Sequence, residues 1–405
     1  MAKSRVLISG AGPAGTVLAY WLGKHGFDIV ILERSSSRRS LGQIIDIEGP
    51  SQEIVTRMGI MEEIKAKTTH EAGIRFVGAH NEEVATFPTG SIGVSNEIEI
   101  MRGDLADAFF DAAKSQANID IRLGCTIQSL RQTESKVVVS IQDRINNLTT
   151  DEEYDLLVAC DGMRSTTRDL ILPAPEYKDC LKPIGAFAAF FSIPATPEDG
   201  PLARVYSMTN RRTATIKPLN KTTSSAYLTY LNSDPKFDEA RNSGNIQTQK
   251  HLIAKLFENE RWEVPRLIEE MMQTDNFYFE SLAQTRLNRW SYGRCVLLGD
   301  TAYAPSPLTG QGTNLAILGA YLLASKLVQN PEEPTKAFEA WETKMRPYVD
   351  QVQPIPLGGY LPYLINPATA VGVWVLRKIV ALAAWSQVWM YFPEIKNVPF
   401  DLPDL

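Results

Sequence analysis

Residues 5–15 read Arg5-Val6-Leu7-Ile8-Ser9-Gly10-Ala11-Gly12-Pro13-Ala14-Gly15. An apolar run passes directly into Gly10-x-Gly12-x-x-Gly15 and then into a helical stretch that ends near His25. Gly10 permits the tight turn out of a strand, Gly12 lets backbone approach a pyrophosphate, and Gly15 lets the helix pack close to the sheet. The helix, opened by Pro13 and Ala14, aims its positive end and free N–H groups at the phosphates. A second apolar run, Asp28-Ile29-Val30-Ile31-Leu32, ends in Glu33, an acid placed to accept hydrogen bonds from a ribose. A carboxylate there disfavours a 2′-phosphate, so the pocket reads as one for an NAD- or FAD-like dinucleotide.

The chain has 405 residues, 44% hydrophobic and 22% charged, enough for two domains with substantial cores. Its net charge of −6 and the absence of basic runs give no footprint for nucleic acid. Cys125, Cys160, Cys180 and Cys295 form no CxxC pair, which fits buried reduced thiols rather than a metal site or a disulfide frame. The first strand begins within a few residues of Met1, leading to the expectation of no signal peptide and a cytoplasmic location. None of His25, His70, His80 and His251 adjoins a nucleophile motif, which weakens a hydrolase reading.

After Arg34 and a polar loop over 35–40, Gln43-Ile44-Ile45-Asp46-Ile47 alternates as a strand. Residues 50–64 carry a helical pattern, short strands are expected around Phe76 and 84–87, and 97–102 reads as extended. Arg102 opens a helix with Leu105, Phe109 and Ala113 on one face. Strands follow at 120–122 and 136–141, with a polar hairpin over 142–153. The buried run 154–160 ends in Asp161-Gly162-Met163-Arg164 and leads to Arg168. Short β-rich runs over 184–232 predict an antiparallel sheet, followed by polar helices to 274 and a strand at 277–283. The chain then returns through Cys295-Val296-Leu297-Leu298-Gly299-Asp300 to Pro307, Gly310-Gln311-Gly312-Thr313-Asn314 and a helix to 327.

Three motifs now stand in order: Gly10-x-Gly12-x-x-Gly15 with Glu33, Asp161-Gly162 with Arg168, and Gly299-Asp300 with Pro307. The ordered set resembles the FAD-dependent aromatic-hydroxylase family, single-component flavin monooxygenases of the para-hydroxybenzoate hydroxylase fold. The run 43–47 followed by Gly49-Pro50-Ser51-Gln52-Glu53 is similar to the tetracycline-inactivating branch, which puts Asp46 near the flavin. The resemblance implies that Glu33 takes the adenosine ribose, that Arg34 and Arg102 approach the pyrophosphate and ribityl region, and that Asp161 supports the groove. It also implies that Asp300 binds the ribityl chain, with Gly310, Gln311, Gly312 and Asn314 along the isoalloxazine and Pro307 among the cofactor-binding residues. Many members carry histidine after Gly-Asp-x-Ala, where this chain has Tyr303.

The implied fold is α/β: a Rossmann-like FAD-binding domain over 1–175 and 284–345, an inserted antiparallel-sheet substrate domain over 176–283 joined by strands from 70–100, and a C-terminal helical segment over 346–405. With one GxGxxG, no separate nicotinamide domain is visible, so NADPH or NADH is a transient co-substrate. The implied reaction inserts one atom of O2 into a phenolic, polyketide or terpenoid-like molecule through a flavin C4a-hydroperoxide, by hydroxylation, epoxidation or Baeyer–Villiger insertion. The cofactor carries the chemistry, and no catalytic side chain is assignable beyond candidates on the sheet: Arg211 and Tyr230 foremost, with Tyr206, Tyr227, Arg204 and Arg212. For each of these a structural role on the sheet is the simpler reading. A reductase or dehydrogenase on the same fold, and a non-catalytic redox sensor, are the alternatives. Residues 368–392, with Trp374, Trp385 and Trp389, read as an amphipathic helix packing across both domains; Arg377-Lys378 in its middle argue against a span, and membrane contact is not expected.

Overall fold

The computed structural model describes residues 4–38, 43–69, 71–91, 98–391 and 400–405. His70, Glu97, Phe392, the end of the loop at 39–42 and the side chain of Trp389, all singled out in the sequence, lie outside the described residues.

The first strand, Arg5–Ser9, is the hub of a six-stranded sheet ordered Ser291–Tyr292, Cys295–Leu297, Leu156–Ala159, Arg5–Ser9, Asp28–Glu33 and Ile119–Leu123. All neighbours are parallel except the terminal pair. Parallel strands are covered on both faces, which is why Val6, Leu7 and Ile8 are an unbroken apolar run with no exposure. The helix Pro13–Lys24 covers one face and is itself buried by Gly312–Gln329, with Trp21 and Tyr321 edge to face at 5.0 Å. Because five strands run parallel, Gly10, Glu33, the Asp161 turn and the Asp300 turn, which end four of them, all fall at one carboxyl edge of the sheet. Ligands bind at that edge in open α/β sheets.

The second large sheet has seven strands, ordered Phe277–Thr285, Leu181–Pro194, Thr223–Leu231, Arg212–Pro218, Ala203–Met208, Gly73–Val77 and Glu83–Pro88. It is not purely antiparallel as expected, since Ala203–Met208 pairs in parallel with Gly73–Val77, a strand recruited from before the insertion. Strand alternation divides its faces: Phe187, Ala189, Phe191 and Ile193 pack under the helices Pro235–Asn242, Ile246–Phe257 and Val264–Gln273, while Phe190 faces the other way.

Several elements differ from the sequence reading. The helical stretch 50–64 is two helices, Pro50–Arg57 and Met61–Lys65, separated at Gly59 with φ 78°. The polar hairpin contains an edge strand, Leu148–Tyr154, in a three-stranded meander with Cys125–Gln132 and Val137–Asp143. Its Thr, Asp and Glu side chains carry no apolar alternation, so only cross-strand pairing makes it a strand. The helix Pro334–Val352 runs through residue 345, held by Trp341, Met345 and Val349, and contains Pro347. The C-terminal helix Ala370–Ser386 does not bridge the two cores; it lies against the 83–88 edge of the seven-stranded sheet, with Val380 and Ala383 on Phe87 and its neighbours. Instead, residues 400–405 return to the first core, where Phe400 meets Tyr348 and the Pro403 carbonyl accepts from Arg57 and Tyr321.

Candidate functional site

The three glycines of the first turn do different work. A Cβ on Gly10, which has φ 108°, would lie 2.5 Å from the Cys160 carbonyl oxygen, and a Cβ on Gly15 would collide with the Gly10 carbonyl. The fold itself demands these two. A Cβ on Gly12 would meet nothing within 4 Å, so its bareness serves whatever enters from outside. The helix that Gly12 caps has Pro13 in its first turn, no side-chain cap and no acid there, leaving its N–H groups and positive end open to a phosphate. The Glu33 carboxylate is held beside the turn by the Ala11 N–H at 3.1 Å and the Ser35 N–H at 2.9 Å.

These groups line one groove of about 220 Å³, with Gly10, Gly12, Pro13, Glu33, Arg34, Arg102 and Asp161 brought together from four segments. Ala14 and Gly15 are buried behind it, and Ala14 closes the sheet edge, since a Cβ on Gly299 would come within 3.0 Å of the Ala14 Cβ. The far end of the groove is walled by Arg38, Phe110, Thr126 and Ile127, which sequence reasoning missed. Arg38 lies 4.1 Å over the Phe110 ring while pairing with Asp111. The only signal for them was a second aromatic beside Phe109, indistinguishable from helix core.

Asp161 lines the groove, but its carboxylate is already engaged by the Ser165 hydroxyl and by the Thr167 N–H at 3.1 Å, stiffening the start of the helix Thr166–Ile171. The later motifs are buckled to one another. Thr301 Oγ1 accepts from the Gly162 N–H at 2.9 Å, and the buried Arg168 donates to the Met163 and Thr301 carbonyls at 2.9 and 3.1 Å.

Around Asp300 the arrangement repeats the first turn. The helix Gly312–Gln329 begins without a side-chain cap or a first-turn acid, and a Cβ on Gly312 would lie 3.7 Å from an Asp300 oxygen. Burial holds the Asp300 carboxyl above the usual carboxylate range, with the Arg102 guanidinium opposing. Such a group costs stability once ionised: its contribution is present below the ordinary carboxylate pKa and lost above the raised one. Asp300→Ala is therefore expected to leave apo stability unchanged or higher at pH 7 while weakening FAD affinity about 10- to 100-fold, the loss of one charged hydrogen bond, measured by flavin titration and thermal melts. Pro307 opens a 3-10 turn that ends at Gly310, in the left-handed region at φ 67°.

Gln311 and Asn314 face inward. Asn314 accepts from the Glu48 N–H at 3.1 Å and donates to the Asp46 carbonyl at 3.2 Å, and Gln311 donates to the Glu48 carboxylate at 3.2 Å. They clamp the short ribbon of Ile44–Asp46 and Glu99–Met101 to the helix start. Tyr303 is not in the groove. Its ring packs between Trp290 and Trp341, and its hydroxyl occupies the space that Gly319 leaves bare, so it is a core residue.

The Tyr227 hydroxyl accepts from the Ile44 N–H at 3.3 Å, which places its face of the large sheet toward the ribbon and the groove. Phe190 lies on the same face, edge-on to Tyr227 at 5.1 Å and stacked with Tyr278 at 6.2 Å. Beside them Glu280 accepts from Tyr278 at 2.8 Å and pairs with Arg241 and with Arg164 of the groove. The remaining candidates make their contacts elsewhere. Tyr230, three residues from Tyr227, points to the helix side against Phe237 at 5.3 Å. Arg211 sits in a turn at φ 60° over Tyr363, Arg212 pairs with Glu260, Arg204 with Asp199 and Glu263, and Tyr206 packs on Trp262.

Under the ribbon, Lys217 is shared by two buried acids, Glu71 at 3.1 Å and Glu99 at 2.5 Å. Burial pushes the Glu71 carboxyl up to about 7, opposed by Lys217 and helped by Glu99. A raised acid stabilises the fold below its unfolded value and loses that contribution as pH rises through the folded one. The wild type is thus expected to lose up to roughly 3 kcal/mol relative to Glu71→Gln between pH 5 and 8, read from unfolding midpoints across that range.

A mostly parallel open sheet with a bare glycine turn before an uncapped helix, a carboxylate at the end of the next strand and a second open helix start has the form of a dinucleotide-binding protein. The FAD binding domain family model matches residues 3–352, and the chain belongs to that family. It is 36% identical over 395 residues to Monooxygenase CTB7 of Cercospora beticola, covering 95% of this chain and 93% of that one. It is 31% identical to the FAD-dependent monooxygenase asL6 of Sarocladium schorii, over 99% and 97% of the two chains. Among solved structures, the tetracycline destructase Tet(55) superposes with a TM-score of 0.79 at 27% identity over 100% and 99% of the chains. HpxO of Klebsiella pneumoniae in complex with FAD shares the fold, with a TM-score of 0.74 at 15% identity over 96% and 97%. The protein is an FAD-dependent monooxygenase of the aromatic-hydroxylase fold.

Proposed function

We propose that the substrate is an aromatic, polyketide-like molecule held between the ribbon and the Phe190, Tyr227 and Tyr278 face of the large sheet. The observation that carries this reading is that these three rings are the part-exposed aromatics of the face turned toward the groove, while the helix-side positions beside them are buried. Flat rings offer stacking area and few fixed hydrogen bonds, which suits a fused aromatic substrate. The polyketide character is supported by the likeness to Monooxygenase CTB7, asL6 and the tetracycline destructases.

The chemistry supplied by bound FAD is the transfer of reducing equivalents from NAD(P)H to dioxygen. Gly10, Gly12 and Pro13 would admit the pyrophosphate, Glu33 the ribose, and Arg34 and Arg102 the phosphate charge; Asp161 stiffens the groove. Asp300 and the open helix start at Gly312 would meet the ribityl chain and the ring, and Pro307, Gly310, Gln311, Asn314 and Asp46 shape that end. Tyr227, beside the charged Lys217, would hold a substrate hydroxyl or its phenolate. In this reading 1–175 and 284–345 form the cofactor part and 176–283 the substrate part, and the free buried cysteines suit a reducing, intracellular setting.

The test is NAD(P)H oxidation under labelled dioxygen with a panel of phenols and fused aromatic polyketides. Stimulated oxidation with one labelled oxygen in a fused aromatic product is the expected result. Stimulation by simple phenols alone would overturn the substrate class.

A further inference from the structure

The C-terminal helix Ala370–Ser386 turns its apolar side outward. Val373 is its one buried residue, whereas Val371, Trp374, Ile379, Leu382 and Trp385 are all at least 60% exposed, with Trp385 at 83%. With Val375, which is 40% exposed, steps of three or four residues (371–374, 371–375, 375–379, 379–382, 382–385) set these on one stripe. Among the described residues, thirteen of the nineteen exposed large apolar side chains fall between Leu357 and Met390, so apolar exposure is concentrated in this C-terminal stretch rather than scattered over the chain. No helix among the described residues is long and apolar enough to cross a membrane.

The charges select the occupant. Residues 351–393 contain no Asp or Glu in a chain whose net charge is −6. Arg377 turns inward, 5.9 Å from the Tyr206 ring, and Lys378 sits outward at the centre of the stripe, 5.9 Å from the Trp374 ring. A second copy of the chain pairing symmetrically about the helix midpoint would set Lys378 against its own equivalent inside an apolar contact. At a lipid surface the same lysine extends to a headgroup phosphate while the tryptophans lie at the acyl boundary.

We infer that this helix docks the enzyme on an anionic lipid bilayer, lying in the plane of the interface without crossing it. The FAD-loaded full-length protein is to be cosedimented with vesicles of phosphatidylcholine alone and of phosphatidylcholine with phosphatidylglycerol. The expected result is at least tenfold stronger binding to the anionic vesicles, lost in Leu382→Glu/Trp385→Glu, and weakened about fivefold in Lys378→Glu. Both variants are expected to keep the flavin spectrum and basal NAD(P)H oxidation, which separates lost docking from lost folding. Absence of binding to either vesicle, or equal binding to both, overturns the proposal. So does a concentration-dependent dimer that the double variant dissolves, which would give the face to a second copy.

Discussion

Gly12→Val is expected to yield a folded protein that holds no flavin. A side chain at this position points into open space in the apo protein, so the sheet, the helix Pro13–Lys24 and their core are undisturbed. The same space is the one a pyrophosphate would enter to reach the helix start. We expect FAD affinity to fall at least a thousandfold, about 4 kcal/mol, while the apo melting transition stays within a degree or two of wild type. Gly15→Val is the contrast: its Cβ would collide with the Gly10 carbonyl and crowd Ile8, so soluble folded protein itself is expected to be lost. Circular dichroism and flavin absorption on the two variants read the difference. An intact flavin spectrum in Gly12→Val would remove the phosphate site from this turn.

Arg168→Ala is expected to lower stability by about 3–5 kcal/mol and to loosen FAD binding without touching the cofactor groove directly. The guanidinium is buried, and its Nη1 donates to two carbonyls from different turns, those of Met163 and Thr301. Removal leaves both acceptors dry and opens a cavity between the two later motifs, where charged hydrogen bonds are worth the most. The Asp161 and Asp300 turns would then no longer be held at a fixed separation. Both bonds come from Nη1, so Arg168→Lys, which keeps the charge on a shorter, non-planar head, is expected to recover only part of the loss. Chemical unfolding midpoints of the apo proteins and flavin titration measure the two effects; unchanged unfolding in Arg168→Ala would refute the buckle.

The family motifs were legible because each is local. A strand, a turn that glycine alone can make, a helix start and an acid at the end of the next strand sit within about thirty residues, and their chemistry is fixed by spacing. The fold class followed from the same alternation of apolar runs, and with it the convergence of Glu33, Asp161 and Asp300, since parallel strands present their carboxyl ends on one edge. Orientation was not local. Whether Tyr227 or Tyr230 faces the groove is a matter of strand parity against a partner far along the chain, and both read alike as aromatics in a β-run. Asp161 lines the groove and is held there by the backbone N–H of nearby Thr167, whereas Tyr303, which stands where many members carry histidine, packs on Trp290 and Trp341, partners that only folding brings near.

Sequence by itself determined that this chain binds an NAD- or FAD-like dinucleotide on an α/β sheet, because strand, turn and helix-start chemistry lies within short stretches, and the ordered motif set carried the resemblance to flavin enzymes. Tertiary structure decided which aromatics share a face with the ribbon, which motif residues are buckles, and that the C-terminal helix shows its apolar stripe to solvent. An amphipathic helix specifies that it has two faces; which one is buried depends on the surface that the rest of the fold leaves for it.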